Sequence, residues 1–179
     1  MATFLEGNPA ETTGRYAIVV ARFNSDITEA LLDGCRHTLA AHGVTEDRIT
    51  VARVPGAFEL PLTCERLAAS GNYVAVLALG CVIRGGTPHF DYVCQEASRG
   101  MMDVNLKHRI PVIMGLLTCD DLPQALHRAD REVLTGSDQA EEGRLEKTTP
   151  RSNKGSEAAE AALEMVSLLA QIASSCPSQ

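Results

Sequence analysis

Four short apolar runs recur along the chain, and each is followed by a stretch in which apolar residues take helical spacing. The runs span 15–21, 48–54, 73–83 and 111–118 and are rich in Val, Leu, Ile and Ala. Such runs are typical of strands buried on both faces. Strands that alternate with helices favour a parallel sheet covered by helices on both faces. The sequence therefore predicts an α/β fold with a four-stranded parallel sheet.

Capping and breaker residues set the predicted helix ends. Ser25 or Asp26 is predicted to cap the first helix, with Asp26 and Glu29 forming a variant capping box. Asp120 or Asp121 is predicted to cap the fourth helix. The expected helices begin near residues 26, 59, 89, 121 and 155, and the last ends near residue 174.

The helical and strand patterns fail between residues 130 and 153. This stretch is polar and charged, and we interpret it as an exposed loop within a single domain of residues 15–179. Four of its carboxylates lie close together in sequence: Asp138, Glu141, Glu142 and Glu146. Residues 1–14 lack a signal peptide's basic start and apolar centre, and are predicted to form a flexible N-terminal arm.

Composition narrows the class of protein. The 179 residues are 45% hydrophobic but only 4% aromatic, which predicts one compact, mostly aliphatic core. The net charge of −7 and the lack of a basic tract argue against a nucleic-acid partner, and we predict none. No apolar run is long enough to cross a bilayer, so no membrane partner is expected.

The six cysteines do not form a recognisable framework. They are Cys35, Cys64, Cys81, Cys94, Cys119 and Cys176, with no C-x-x-C pair and no Cys/His cluster at metal-ligand spacing. Most lie within apolar patterns, where a free thiol behaves as a small hydrophobic side chain. We therefore expect a reduced cytoplasmic protein without a metal site.

The third apolar run ends in a segment suited to holding an anion. Arg84-Gly85-Gly86-Thr87-Pro88 separates the strand from a helix that begins at His89. Glycine-rich backbone and the unpaired N–H groups of a helix start can bind phosphate, and Arg84 and His89 flank the turn. The alternative is an ordinary glycine turn with a structural histidine, because the segment lacks both the G-x-G-x-x-G and the Walker fingerprints.

Ligands of parallel sheets bind beyond the carboxyl ends of the strands. The segments that follow the four strands are therefore expected to converge on one rim. They hold Phe23, Asn24, Gly56, Ala57, Phe58, Glu59, Val82, Ile83, Arg84, Gly86, Thr87 and His89, with residues 114–118. Taken singly, Phe23 and Phe58 could be core aromatics and Glu59 a helix-start carboxylate; together they favour a functional site.

Six motifs in order give a specific resemblance. They are R-F-N, V-P-G-A-F-E-L-P, G-C-V-I-R-G-x-T-x-H-F-D-Y, G-L-L-T, Q-A-L-x-R-A and N-K-G-x-E-A-A. From residue 16 to 172 the chain resembles the lumazine synthase family of riboflavin biosynthesis. The resemblance implies a three-layer flavodoxin-like fold and a cofactor-free condensation of a ribitylamino-pyrimidinedione with dihydroxybutanone phosphate.

The resemblance also implies roles for single residues. Phe23 would stack on the pyrimidine with Asn24 beside it, and His89 would move protons. The ribityl site would be shaped by Ala57, Phe58 and Glu59, and backbone contacts to the pyrimidine would come from Cys81, Val82 and Ile83. Phosphate would be bound by Gly86, Thr87 and Arg128. Because the family builds each site at a subunit interface, Met114, Arg128 and Lys154 are expected to serve a neighbour's pocket.

The chain departs from the family pattern at four features. Pro88 stands where a small or hydroxylated residue is usual, and Met114 stands where an aromatic residue is usual. Asp130, two residues from Arg128, replaces a glycine. The fourth is the long 130–153 loop. These departures keep open a catalytically weak flavin-binding paralogue, and a structural shell protein is a third possibility.

The resemblance implies a homopentamer, alone or paired, with riboflavin synthase as a partner. Icosahedral shells in the family go with a short connection between the last two helices. Here the connection is long and acidic, so an ordered loop would obstruct packing, and a disordered loop would lose conformational entropy and add charge repulsion. We therefore expect a pentamer or paired pentamers.

Overall fold

A computed structural model describes residues 2–10, 13–134 and 151–175. Within these ranges the chain alternates four strands with five α-helices. The elements are β1 Tyr16–Ala21, α1 Ser25–Ala41, β2 Ile49–Val54, α2 Leu60–Ala69, β3 Ala75–Ile83, α3 His89–His108, β4 Val112–Cys119, α4 Leu122–Arg128 and α5 Lys154–Ser175. Short 3₁₀ turns occur at Glu46–Arg48, Ala57–Glu59 and Glu132–Leu134.

The four strands form one parallel sheet in the order β2-β1-β3-β4. Ile18 on β1 lies opposite Val51 on β2 and Leu77 on β3, while Leu79 on β3 lies opposite Gly115 on β4. All six residues of β1 and the first seven of β3 are buried. These observations confirm the parallel sheet, with β2 and β4 as its edge strands.

Two cores lie on opposite faces of the sheet. On one face, Ile18 and Leu77 pack with Leu31 of α1 and Leu163 of α5. On the other face, Val19 packs with helices α2 and α3. Helix, sheet and helix thus form three layers, which confirms the flavodoxin-like α/β architecture.

The predicted cap of α1 is wrong. The helix begins at Ser25, and its N-cap is Asn24, which has left-handed backbone angles (φ 58°, ψ 49°) and no side-chain capping bond. Glu29 does not close a capping box; its carboxylate forms an ion pair with Arg53 of β2. That long-range partner outcompetes the local bond on which the prediction depended.

The other helix starts follow the sequence signals. Asp121 caps α4, because its side-chain oxygen accepts a hydrogen bond from the backbone N of Gln124 at 2.8 Å. Pro61 occupies the first turn of α2, where its missing N–H costs no hydrogen bond. Helix α3 begins at His89, as predicted, after Pro88 in the N-cap position.

The two described ends of the polar segment pair with each other. Ala129 and Asn153 form an antiparallel bridge. The predicted loop residues 135–150, including its four clustered carboxylates, lie outside the described residues.

The N-terminal arm contacts α5. The Asn8 backbone N donates to Ser167 Oγ at 3.1 Å, and Gln171 Nε2 donates to the Glu6 carbonyl at 2.7 Å. A Cβ at Gly7 would lie 2.2 Å from the Glu164 carbonyl oxygen, so glycine lets the arm lie flat on the helix. The division into an arm and one domain stays a prediction.

The five described cysteines, which exclude Cys176, are free thiols. Among the described residues no group of three or more His, Cys, Asp or Glu side chains is placed to hold a metal ion. No helix in the described ranges combines the length and the apolar character that a membrane span requires.

Candidate active site

A pocket of about 680 Å³ opens where β1, β2 and β3 end and α3 begins. It brings together eleven residues that the sequence analysis selected: Phe23, Gly56, Ala57, Phe58, Glu59, Cys81, Val82, Ile83, Gly85, Thr87 and His89. Three of the four predicted segments therefore share one rim.

Two exposed aromatic rings mark this pocket. The exposed fractions are 68% for Phe23 and 60% for Phe58, which excludes the interpretation of either ring as a core side chain. Phe23 is held at the end of β1 by its backbone N, which donates to the Pro55 carbonyl at 3.1 Å. An apolar ring fixed at the surface is available to stack on a planar ligand.

Asn24 holds the turn that presents Phe23. Its Nδ2 donates to the Cys81 carbonyl at 2.9 Å and so joins the end of β1 to β3. Asparagine tolerates the left-handed conformation better than most residues, which explains this residue type at this position. Asn24 itself is not among the residues that line the pocket.

Glu59 presents one fixed and one available carboxylate oxygen. Its Oε2 accepts a hydrogen bond from the Gly56 backbone N at 2.9 Å. No described residue donates to Oε1. This geometry orients the carboxylate at the pocket wall and leaves an acceptor for ligand hydroxyl groups.

His89 is the first residue of the 20-residue helix α3. Its imidazole is exposed, lines the pocket and forms no hydrogen bond with the described residues. Both ring nitrogens are thus available to exchange protons with a ligand.

The glycine turn before His89 is open. Gly85 and Thr87 line the pocket, with Gly86 between them. A Cβ at Gly85 or Gly86 would meet no described atom within 4 Å, and neither residue has a positive φ. The described fold therefore does not itself require glycine at these two positions, whereas close approach of a ligand to the backbone would.

Arg84 is engaged by protein groups. Its Nε donates to Asp120 Oδ1 at 3.0 Å, and Nη1 lies 3.0 Å from Asp91 Oδ1. The hydrogen bond to Asp120 and, to a smaller extent, the one to Asp91 raise the pKa of this guanidinium. The guanidinium carbon also lies 4.1 Å from the centroid of the Phe90 ring. The structure thus places Arg84 outside the pocket lining, where it joins β3 to α3 and to the end of β4.

The remaining predicted residues line a second cavity of about 990 Å³ beside the edge strand β4. Met114 of β4 is half exposed there, and Arg128 ends α4. Lys154, at the start of α5, forms an ion pair with Glu157. Arg128 has no ion pair with any described residue. The β4 segment therefore lines a different cavity from the other three segments, although its end pairs with the end of β3 through Ile83 and Cys119.

Two cysteines lie on the neighbouring strands β3 and β4. Cys81 lines the first pocket and Cys119 lines the second cavity. The Cys81 thiol hydrogen-bonds to Cys119, and this bond together with burial raises the pKa of Cys81. The same bond lowers the pKa of Cys119. Cys81 is thus a neutral thiol near neutral pH and adds no charge to the pocket that it lines.

The sequence analysis missed several lining residues. The first pocket also contains Phe90, Tyr92 and Val93, and the second contains Gln124, His127 and Glu157. Tyr92 and Val93 follow His89 by three and four positions, so the helical period could have placed them on its face.

The layered parallel sheet and the pocket at its carboxyl edge define a flavodoxin-like α/β enzyme. The exposed rings, the oriented carboxylate and the open histidine suit a planar, hydroxylated substrate that exchanges protons. The model of the 6,7-dimethyl-8-ribityllumazine synthase family matches residues 13–170, so the chain belongs to this family.

Membership defines the reaction. The enzyme condenses 5-amino-6-(ribitylamino)pyrimidinedione with 3,4-dihydroxy-2-butanone 4-phosphate. The products are 6,7-dimethyl-8-ribityllumazine, phosphate and water. It is therefore a transferase that acts on small-molecule substrates in the penultimate step of riboflavin biosynthesis.

Proposed function

We propose that each active site combines the 680 Å³ pocket of one subunit with the 990 Å³ cavity of its neighbour. The observation that carries this proposal is the separation of the expected substrate residues into two cavities of one chain. Phe23, Glu59 and His89 lie in the first, and Arg128 and Lys154 lie in the second. The second cavity lies beside the edge strand β4, and this position supports contact with another copy of the chain.

The pyrimidine and its ribityl chain are assigned to the first pocket. Phe23 stacks on the ring, and Asn24 acts by holding the Phe23 turn against β3. Ala57, Phe58 and Glu59 form the ribityl site, in which the available Glu59 oxygen accepts hydroxyl hydrogens. Backbone groups of Cys81, Val82 and Ile83 contact the pyrimidine.

The phosphate is assigned to the boundary between the two halves. Gly86 and Thr87 supply backbone and hydroxyl donors, and Arg128 of the neighbour supplies the charge. Met114 and Lys154 of the same neighbour cover the substrates. Arg84 contributes by holding the turn in place, since its guanidinium is already bound to two carboxylates.

His89 is assigned to proton transfer. The substrate amine attacks the ketone, and water leaves to form an imine. Loss of the adjacent carbon-bound proton then expels phosphate, and the ribitylamino nitrogen closes the ring on the resulting ketone with loss of a second water. These steps move protons to and from nitrogen, oxygen and carbon, and an imidazole is suited to this near neutral pH. The rest of the acceleration comes from holding two reactants together.

Asp130 does not neutralise the charge of Arg128 in this arrangement. Its Oδ2 lies 3.1 Å from Arg151 Nε, and its Oδ1 accepts a hydrogen bond from the Glu132 backbone N at 2.9 Å. The carboxylate that replaces the family's glycine is thus accompanied by its own cation. This pairing favours the active enzyme over a catalytically weak paralogue.

We also propose a cytoplasmic homopentamer, single or paired, in which residues 15–179 form one domain and residues 1–14 an arm. Free thiols at the five described cysteines support a reducing compartment. Riboflavin synthase is the proposed partner, because it would consume the product.

Replacing His89 with alanine is expected to lower kcat by about 10²-fold, the lower end of the usual range for acid–base groups, because water reaches the exposed site. The measurement is product fluorescence at saturating substrates. His37→Ala, an exposed histidine of α1, is the matched control. An unchanged kcat in His89→Ala would remove this residue from catalysis.

Replacing Arg128 with alanine is expected to raise KM for the phosphorylated substrate roughly 10- to 100-fold, because one charge-assisted bond is lost. KM for the pyrimidine should stay within about twofold. Arg131→Ala is the control, since Arg131 is bound to Asp33 on the surface. Equal increases in both KM values would indicate a general structural role.

Mixed oligomers test the shared site directly. Subunits carrying His89→Ala and subunits carrying Arg128→Ala should regain activity when assembled together, because roughly one quarter of the interfaces then pair two intact halves. Each variant alone supplies the baseline. If mixed assemblies showed only the average of the two variants, the halves would belong to one subunit.

The assembly is expected to remain a pentamer or paired pentamers at physiological salt. Asp138, Glu141, Glu142 and Glu146 place like charges on the segment between α4 and α5, and these oppose packing of pentamers into a shell. Light scattering measures the mass. A hollow sixty-subunit particle would contradict the proposal, whereas shortening the segment between Arg131 and Ser152 should permit larger assemblies.

A further inference from the structure

Asn153, the residue before α5, is one of few buried polar side chains among the described residues, with 2% exposed. Its Nδ2 donates to the carbonyl of Ala30 in α1 at 3.0 Å and to the carbonyl of Asp130 at 3.3 Å. Its Oδ1 accepts from the backbone N of Gly155 at 3.0 Å and of Ser156 at 3.1 Å. One side chain therefore joins three segments of the chain.

The surrounding backbone leaves room for this side chain and little else. A Cβ at Gly34 would lie 2.2 Å from Asn153 Oδ1, and a Cβ at Gly155 would lie 1.8 Å from the Leu31 carbonyl oxygen. The two glycines thus let α1 and α5 approach closely on either side of Asn153.

Backbone hydrogen bonds connect Asn153 to the substrate residues of the second cavity. Ser152 N donates to the His127 carbonyl at 3.1 Å, Asp130 N donates to the Ser152 carbonyl at 3.1 Å, and Ala129 bridges Asn153. Arg128 lies within this paired stretch, and Lys154 directly follows Asn153. Both backbone positions therefore depend on where residues 152 and 153 lie.

We propose that Asn153 is a positioning residue for the phosphate half of the active site, because it fixes the end of α4 and the start of α5 to α1 and so sets the relative placement of Arg128 and Lys154. This inference rests on the proposed role of Arg128.

Helix capping alone does not explain an asparagine here. A cap needs only the side-chain acceptor, which serine or aspartate also provides. The two N–H groups of the amide are directed at carbonyls outside α5, and these donors are what aspartate lacks. Asn153→Asp therefore keeps the capping acceptor and replaces the donors to α1 and to residue 130 with an oxygen that the two carbonyls repel.

The test compares KM for the two substrates in Asn153→Asp. KM for dihydroxybutanone phosphate should rise roughly tenfold, because a charge-assisted bond depends on alignment, while KM for the pyrimidine stays within about twofold. Gly34→Ala, whose Cβ displaces the Asn153 amide, should reproduce the effect and offers a second route if Asn153→Asp does not fold.

Thr38→Val is the matched control for stability. It removes the 2.6 Å contact between Thr38 Oγ1 and Ser156 Oγ, which also joins α1 to α5, but does not touch Asn153. Its melting temperature should fall while both KM values stay unchanged. If Thr38→Val shifted the KM values as Asn153→Asp does, the effect would be one of stability, and the proposal would be overturned.

A double variant separates this inference from the proposed function. In the Arg128→Ala background, Asn153→Asp should raise KM for the phosphorylated substrate by a much smaller factor than in the parent enzyme, since only Lys154 remains of the two groups that it positions. Additive increases, or a folded Asn153→Asp enzyme with normal KM, would overturn the inference alone. A normal KM in Arg128→Ala would instead overturn the assigned role of Arg128.

Discussion

The central strands β1 and β3 have almost no face that tolerates water, and the rest of the fold follows from this constraint. All of β1 and seven residues of β3 are buried, and transfer of each large apolar side chain from water contributes about 1.5–3 kcal/mol. The sheet must therefore be covered on both sides. Helical crossovers provide that cover and make the strands parallel, which brings their carboxyl ends, with Phe23, Glu59 and His89, to one edge.

The sequence predicted the fold well because its signals are local and repeated. Four apolar runs, each followed by a helical pattern, predicted the sheet and the helix layers on both of its faces. The predicted start of α3 at His89 was also correct. The capping residue of α1 could not be predicted from local rules. Asn24 serves as its N-cap with a left-handed backbone, and its amide bonds to Cys81, which lies 57 residues away in sequence. No capping motif contains information about such a partner.

The residue types of the candidate site were predicted, but their positions and partners were predicted only in part. Residues carried by contiguous motifs, such as Phe58 and Glu59, meet in one pocket because neighbouring strands position them. The ion-pair partners of the charged residues could not be predicted from the sequence. Arg84 is bound by Asp91 and Asp120, and Asp130 is bound by Arg151 rather than opposing Arg128. Residue type gives the sign of a charge, whereas only tertiary placement decides which opposite charge it meets.

The bridge between Ala129 and Asn153 has a consequence for how this chain can vary. It closes the ends of the polar segment at its base, so the residues between those ends are joined to the catalytic scaffold through a fixed pair of anchors. Doubling the length of a loop between fixed ends costs only about 0.6 kcal/mol in closure entropy. The position between α4 and α5 is therefore one where evolution, or a protein engineer grafting a peptide for display, can lengthen the chain while the chemistry stays in register.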